Sequence, residues 1–282
     1  MITALDHFVL ICPDLSAGAD AYERLLGRPP DWLSAPDSGA ATALFNVANT
    51  SLELLAPVGA GAVGERLREM LAERGPCLTS LAFQSDDIDA DHHRLKRRGA
   101  SPSDIMVGES RHIETGANRA WRRFRASDDV CAGIKTFVVQ TIAGAIEGAE
   151  RAPGAAHALD HIVIATPNPD RAVAHYGARL GLDFRLDRTA DQWKTRFLFF
   201  RTGGLTFEVI HRLDQTTDPK GDDTIWGLTW AVMDLDAAHA RLSGLGFDVS
   251  EVRTGRKPGS RVFTVRDGTL GVPTLFIAHS DR

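Results

Sequence analysis

The sequence predicts an α+β protein in two halves, each made of two units that read strand, helix, then several short strands. Three observations predict it. "ALDHFVLICPDL" (4–15) returns as "ALDHIVIATPNP" (158–169), each time an apolar strand followed by Pro-Asp or Pro-Asn and a helical stretch. "DIDADHHRLKRRG" (87–99) returns at a constant offset as "DLDAAHARLSGLG" (234–246). Short apolar strands close the units in matching pairs, "TSLELLAP" (50–57) with "LTFEVIHR" (205–212) and "GIKTFVV" (133–139) with "GVPTLFI" (271–277).

Taken in order, the units run about 3–57, 77–141, 157–212 and 225–279. The halves are then 1–141 and 157–282, joined by 142–156. That joint lies in "IAGAIEGAERAPGAAHA", which is rich in Ala and Gly and carries neither a helical stripe nor strand alternation. The helices "AGADAYERLLG" (17–27) and "RAVAHYGARLG" (171–181) each stop at a glycine, the residue that tolerates the left-handed end of a helix. "GAGAVGE" (59–65) lacks the strand-before-helix context of a dinucleotide loop.

The chain has 282 residues, 43% of them apolar, and a formal charge of −5. A sizeable core is expected, and disorder is not. Both charge signs are spread along the chain, which argues against nucleic-acid or membrane-surface partners and leaves a small molecule as the expected partner. Cys12, Cys77 and Cys131 share no metal-type spacing, an odd and sparse set suited to a reducing compartment. No leader pattern and no apolar window of membrane-spanning length is present, so a cytoplasmic protein is expected.

Strand alternation puts Leu5, His7, Val9 and Ile11 on one face, and likewise Leu159, His161, Val163 and Ala165. Glu53 lies between leucines and Glu208 between Phe207 and Val209. A carboxylate among apolar strand residues needs a partner. A metal ion would be one, and the neighbouring histidine alone another.

The openings "LDHFVL" and "LDHIVI", the helix starts "DDIDA" and "MDLDA" and the ending "VRDGTLGVPTLFI" together resemble the vicinal oxygen chelate superfamily of glyoxalase I, extradiol dioxygenases and bleomycin and fosfomycin resistance proteins. The resemblance covers nearly the whole chain. It implies four βαβββ modules paired into two incomplete barrels. It also implies a divalent ion (Mg, Mn, Zn, Ni or Fe) in the concave side and a substrate chelating it through adjacent oxygens. His7, Glu53, His161 and Glu208 are the metal candidates, with Glu208 and Glu53 doubling as catalytic bases. The function implied is a glyoxalase-like, divalent-metal-dependent lyase or isomerase acting on a small oxygenated metabolite. The alternative is a non-catalytic binding or resistance protein whose His–Glu pair lines the cup without metal. The family's remaining ligand positions fall near Ser80 and Gly227 on first strands and on Thr136 and Thr274 on last strands, none a good transition-metal ligand. An extradiol dioxygenase is therefore not expected. The four candidates belong to units one and three, so one complete site would need those units to meet, within the chain or across a homodimer.

Two basic stretches, "ESRHIETGANRAWRRFR" (109–125) and "EVRTGRKPGSRVF" (251–263), precede cup-lining strands, and arginine forks suit carboxylates or phosphates. Arg122, Arg261, Trp193 and Trp230 are the substrate-binding candidates. Trp226 and Trp230 share a face if they share a strand, where they would wall an apolar pocket or serve as core. His92, His93 and His239 read as solvated helix residues, His175 as structural and His279 as exposed. His211, three residues beyond Glu208, points to the opposite face. The aromatic content of the second half marks it as the more promising one.

Overall fold

The computed structural model describes residues 1–36, 39–144, 146 and 151–280. Part of the joint between the halves, residues 145 and 147–150, lies outside the described residues. The first half runs β1 (Ile2–Ile11), α1 (Leu15–Leu26), β2 (Trp32–Ser34), β3 (Ala40–Val47), β4 (Thr50–Pro57), α2 (Ala62–Arg74), β5 (Cys77–Ser85), α3 (Ile88–Arg97), β6 (Met106–Arg111), β7 (Asn118–Arg125), α4 (Asp128–Cys131) and β8 (Lys135–Ala143). The second runs β9 (Ala156–Ala165), α5 (Pro169–Ala172) with a π-helical continuation Val173–Arg179, then β10 (Asp183–Ala190), β11 (Thr195–Thr202), β12 (Leu205–Arg212), β13 (Thr224–Val232), α6 (Leu235–Gly244), β14 (Arg253–Thr254), β15 (Ser260–Val265) and β16 (Thr274–His279). A 3-10 turn, Asp191–Trp193, joins β10 to β11.

Each half folds into one eight-stranded sheet. The strand orders are β2-β3-β4-β1-β5-β8-β7-β6 and β10-β11-β12-β9-β13-β16-β15-β14. Within each unit the first and last strands run parallel, β1 with β4 and β5 with β8, and the units join through antiparallel β1–β5 and β9–β13. Units one and two therefore share a sheet, as do three and four. Units one and three lie in different sheets.

The four unit helices start alike because each has a short polar side chain at its N-cap. Asp14, Asp87, Asn168 and Asp234 accept from the backbone N–H of Ala17, Ala90, Arg171 and Ala237 at 2.8–3.0 Å. Gly27 closes α1 at φ 73, where a side chain would be strained. α2, which the sequence reading did not place, begins in "GAGAVGE".

One apolar core joins the two sheets. Phe8 meets Trp230 with ring centroids 6.2 Å apart, and Phe83 meets Phe207 at 5.7 Å. Tyr22 of α1 donates its hydroxyl hydrogen to the Thr269 carbonyl of the other half at 3.2 Å. Among the described residues no helix is long and apolar enough to cross a membrane, and the three cysteines are free.

His175 is the unusual member of this core. It is 3% exposed, and neither ring nitrogen has a hydrogen-bond partner among the described residues. Burial, with the charges of Arg179 and Arg171, pushes its pKa down to about 4. The neutral ring is thus the folded form, while an unfolded chain binds a proton near pH 6.5. Stability should therefore be lost as pH falls from about 6.5 towards 4, by on the order of 3 kcal/mol from this group. Urea unfolding of wild type and His175→Leu at pH 7 and pH 4.5 checks it: the variant should lose that much less on acidification. Equal losses would refute the assignment.

Candidate functional site

Both sheets curve into cups, and the central strand of each carries a bulge at the same place. In β1, Leu5 pairs with Phe83 and His7 with the next residue, Ala82, so Asp6 has no partner of its own. In β9, Leu159 pairs with Trp230 and His161 with Thr229, leaving Asp160 in the same position. An extra residue breaks the two-residue parity of a strand. Leu5 and Leu159 therefore join the inter-sheet core, contrary to the regular alternation, while His7, Val9 and Ile11 and likewise His161 and Val163 line the cups.

The bulge also brings each aspartate beside the histidine that follows it. His161 Nδ1 lies 2.6 Å from Asp160 Oδ1, and His7 Nδ1 lies 2.6 Å from Asp6 Oδ1. A carboxylate has no hydrogen to give, so each ring donates from Nδ1 and turns the Nε2 lone pair into the cup. There His7 Nε2 stands 3.4 Å from Glu53 Oε2, and His161 Nε2 3.6 Å from Glu208 Oε2. The Thr229 hydroxyl, at 2.9 Å, donates to His161 Nε2.

Asp160 is a hub. Besides His161 it accepts from Lys257 Nζ at 2.6 Å and His279 Nε2 at 2.7 Å. Burial opposes its charge, but hydrogen bonds from His161 and Lys257 outweigh burial and hold its carboxyl well below the usual carboxylate range. In the first cup burial likewise opposes the Asp6 charge, and the bond from His7 wins, keeping Asp6 low. Burial pulls His7 down too, yet the Asp6 bond and the Asp6 and Glu53 charges raise it overall.

The cups differ in what fills them. The C-terminal cup is a cavity of about 850 Å³ floored by Val163, Phe197, Ile210 and Leu275. The N-terminal cup is smaller, about 500 Å³, because α2 lays Leu67 and Met70 against Val9 and Ile11. In that smaller cup the Arg119 guanidinium stacks over Trp32 and Trp121, 5.3 and 5.7 Å from their centroids. Its charge acts on both Asp6 and Glu53. Glu53 thus has a cation of the protein's own beside it. Glu208 forms no ion pair among the described residues except the contact with His161.

The sequence-derived candidates divide accordingly. His7 with Glu53 and His161 with Glu208 meet, but in separate cups. Trp193 lines the C-terminal cup. Trp230 does not: it is fully buried between the sheets. A bulge at Trp226 puts these two tryptophans on opposite faces, with Trp226 in the cup and 49% exposed. Arg122 and Arg261 also lie outside the cups, each paired bidentately with an aspartate of its unit's helix, Asp89 and Asp236. Thr136 and Thr274 turn their hydroxyls to the Ile134 and Val272 carbonyls; Phe137 lines the first cup in place of Thr136, whereas Thr274 borders the second beside Leu275. Ser80 and Gly227 do line them. His92 and His239 are half-buried on their helices rather than free in solvent. Each bonds a backbone carbonyl, of Ser103 and Ser250, and stacks edge-on against a phenylalanine. His211 bonds the Thr166 carbonyl outside the cup.

Asp6, Asp160, Lys257 and His279 were missed as site residues. The repeat held part of the signal, since Arg119 and Lys257 fall at the same offset as "GIKTFVV" and "GVPTLFI". His279 follows the cup-facing Leu275 and Ile277 at strand parity.

Comparison with known proteins agrees with this architecture. A family model described as "Glyoxalase-like domain" matches residues 5–144, and one described as "Glyoxalase/Bleomycin resistance protein/Dioxygenase superfamily" matches residues 160–264. The chain is 34% identical over 104 residues, 36% of its own length and 74% of the relative's, to an ethylmalonyl-CoA/methylmalonyl-CoA epimerase of Cereibacter sphaeroides. Among solved structures, a variant of 4-hydroxymandelate synthase from Streptomyces coelicolor superposes with a TM-score of 0.73 at 13% identity, covering 99% of this chain and 93% of that one. BphC, a halotolerant catechol dioxygenase, gives 0.64 at 12% identity, covering 100% and 89%. These two likenesses concern the fold. With both halves matched by glyoxalase-type models and four βαβββ units paired into two cupped sheets, the chain belongs to the vicinal oxygen chelate superfamily as a two-domain member.

Proposed function

We propose that the C-terminal cup is the acid–base site of a glyoxalase-like isomerase or lyase acting on a small oxygenated metabolite. The observation that carries this reading is the chain Asp160–His161–Glu208. Asp160 accepts from Nδ1 and fixes the ring, so that Nε2 faces Glu208 inside an open, largely apolar cavity. Glu208 is the base that takes a proton from a carbon beside a carbonyl. His161 Nε2 can receive that proton from Glu208, and Asp160 stabilises the imidazolium that results. Return of the proton to a neighbouring atom, or to the other face of the same carbon, completes an isomerisation. The relative named as an epimerase supports this class of chemistry and suggests methylmalonyl-CoA as the first compound to assay.

The superfamily resemblance implies a divalent ion, and the donor set does not fit a tightly held one. The His–Glu spacing is compatible with a shared ion, but in the first cup Asp6 is engaged by His7 Nδ1, and in the second Glu208 is the one lining carboxylate among the described residues. At the remaining positions stand Ser80 and Thr136 in the first half and Gly227 and Thr274 in the second, and both threonine hydroxyls are turned to backbone carbonyls. Among the described residues no three His, Cys, Asp or Glu side chains gather as a metal site. Resident transition metals take three or four protein ligands. No step is therefore assigned to an ion. After dialysis with Mn²⁺ or Zn²⁺ and gel filtration, the protein should carry well under one ion per chain. Stoichiometric retention would restore the metal-dependent reading.

The shortage of donors also favours a second reading, a binding protein whose cup holds a ligand unchanged. One experiment separates the two: proton NMR of candidate substrates in D₂O. Enzyme-dependent deuterium exchange at the acidic carbon, lost in His161→Ala, supports the acid–base site. Binding without exchange across the panel would leave only the second.

A further inference from the structure

The C-terminal cup carries a charge imbalance that proton transfer does not need. Arg188, Arg212, Arg253, Arg256 and Lys257 line it, against the single carboxylate of Glu208. The chain as a whole is negative, at −5, so five cations in one cavity do not reflect its bulk composition. The N-terminal cup differs: its four cations face Asp6, Glu53 and Glu109.

The five are not equally free. Lys257 is engaged by Asp160, and Arg212 donates to the Thr195 hydroxyl at 3.1 Å. Arg188, Arg253 and Arg256 form no ion pair with a carboxylate among the described residues, while Arg171, Arg196, Arg261 and Arg266 of the same half each do. Arg256 stacks on Trp193, 4.1 Å from the ring centroid, which fixes its side chain without neutralising it. Its backbone is held as well. Gly255 N–H bonds the Ser260 carbonyl, and the Ser260 N–H and hydroxyl both bond the Lys257 carbonyl, making residues 255–260 a tight turn over the cavity.

Topology explains the convergence. Arg188 lies on β10 and Arg253 on β14, the two edge strands of the same sheet. Curvature brings both edges to one mouth, so cations far apart in sequence ring a single apolar floor. Unpaired guanidinium groups around an apolar cavity suit an amphipathic anion.

We infer that the C-terminal cup binds an organic anion, its phosphate or carboxylate group held at the rim by Arg188, Arg253 and Arg256 and its apolar body lying on the floor. This deepens the acid–base reading by naming the substrate class of the same site.

The test measures binding and no chemistry. Isothermal titration compares 1-naphthyl phosphate, 1-naphthylacetate and 1-naphthol, which share a ring system and differ in charge. At least one anion should bind about tenfold or more tightly than naphthol, its advantage should shrink in half-molar KCl, and the tighter anion identifies the headgroup. In the double variant Arg253→Gln/Arg256→Gln the advantage should fall to about twofold or less. Arg188→Gln gives an independent check from the opposite edge. Naphthol binding as tightly as both anions overturns the inference, and so does an anion advantage that survives the double variant. Glu208→Gln keeps the two proposals apart, because it stops proton exchange under the acid–base reading and leaves the anion preference in place.

Discussion

Glu208→Gln should abolish carbon-proton exchange, lowering its rate by about 10²–10⁴ while leaving ligand binding intact. The amide keeps the size and hydrogen-bonding reach of the side chain but cannot accept a proton from carbon. His161→Gln should cost a comparable factor, because without the ring Glu208 loses the nitrogen, 3.6 Å away, that receives its proton. The two groups act as one relay, so the double variant should be little worse than the poorer single one. The rate of deuterium incorporation in D₂O, beside the dissociation constant for a non-reacting analogue, makes the measurement. Exchange that survives Glu208→Gln and vanishes in Glu53→Gln would move the chemistry to the N-terminal cup.

Trp230→Ala should destabilise the whole protein by about 3–5 kcal/mol, the range for removing a fully buried large aromatic. Trp230 is completely buried and packs on Phe8 of the other sheet, so its loss opens a cavity in the core that joins the two halves. Its Nε1 has no acceptor among the described residues, so Trp230→Phe forfeits no hydrogen bond and should recover most of the loss. Trp226→Ala is the internal control. That side chain is half exposed at the cup, and its removal should cost no more than about 0.5–1 kcal/mol. Guanidinium unfolding, with midpoints read at an unchanged slope, distinguishes these outcomes. A similar cost for both alanine variants would contradict the assignment of the two tryptophans to opposite faces.

That assignment shows where reading from sequence stopped. The repeats were legible because four units spell the same strand, helix and strands. The helix starts were legible because Pro-Asp, Pro-Asn, "DDIDA" and "MDLDA" each introduce a helical stretch. The pairing of His7 with Glu53 and of His161 with Glu208 was legible too, since first and last strands of a unit lie side by side. All of these are local signals, or one local signal repeated.

What strand parity could not show was the extra residue. A bulge at Asp6 or Asp160 leaves no mark in composition, yet it turns Leu5 and Leu159 into the inter-sheet core and creates both Asp–His pairs. Another at Trp226 separates two tryptophans that regular alternation would keep together. The substrate candidates Arg122 and Arg261 were drawn from the right stretches but satisfied by helix aspartates, a preference visible only once the helices are packed on the sheet. The chain by itself determined four repeated units and the residue types within reach of each cup. Tertiary structure decided which side chains turn inward, because bulges, sheet curvature and competition between ion-pair partners depend on neighbours distant in sequence.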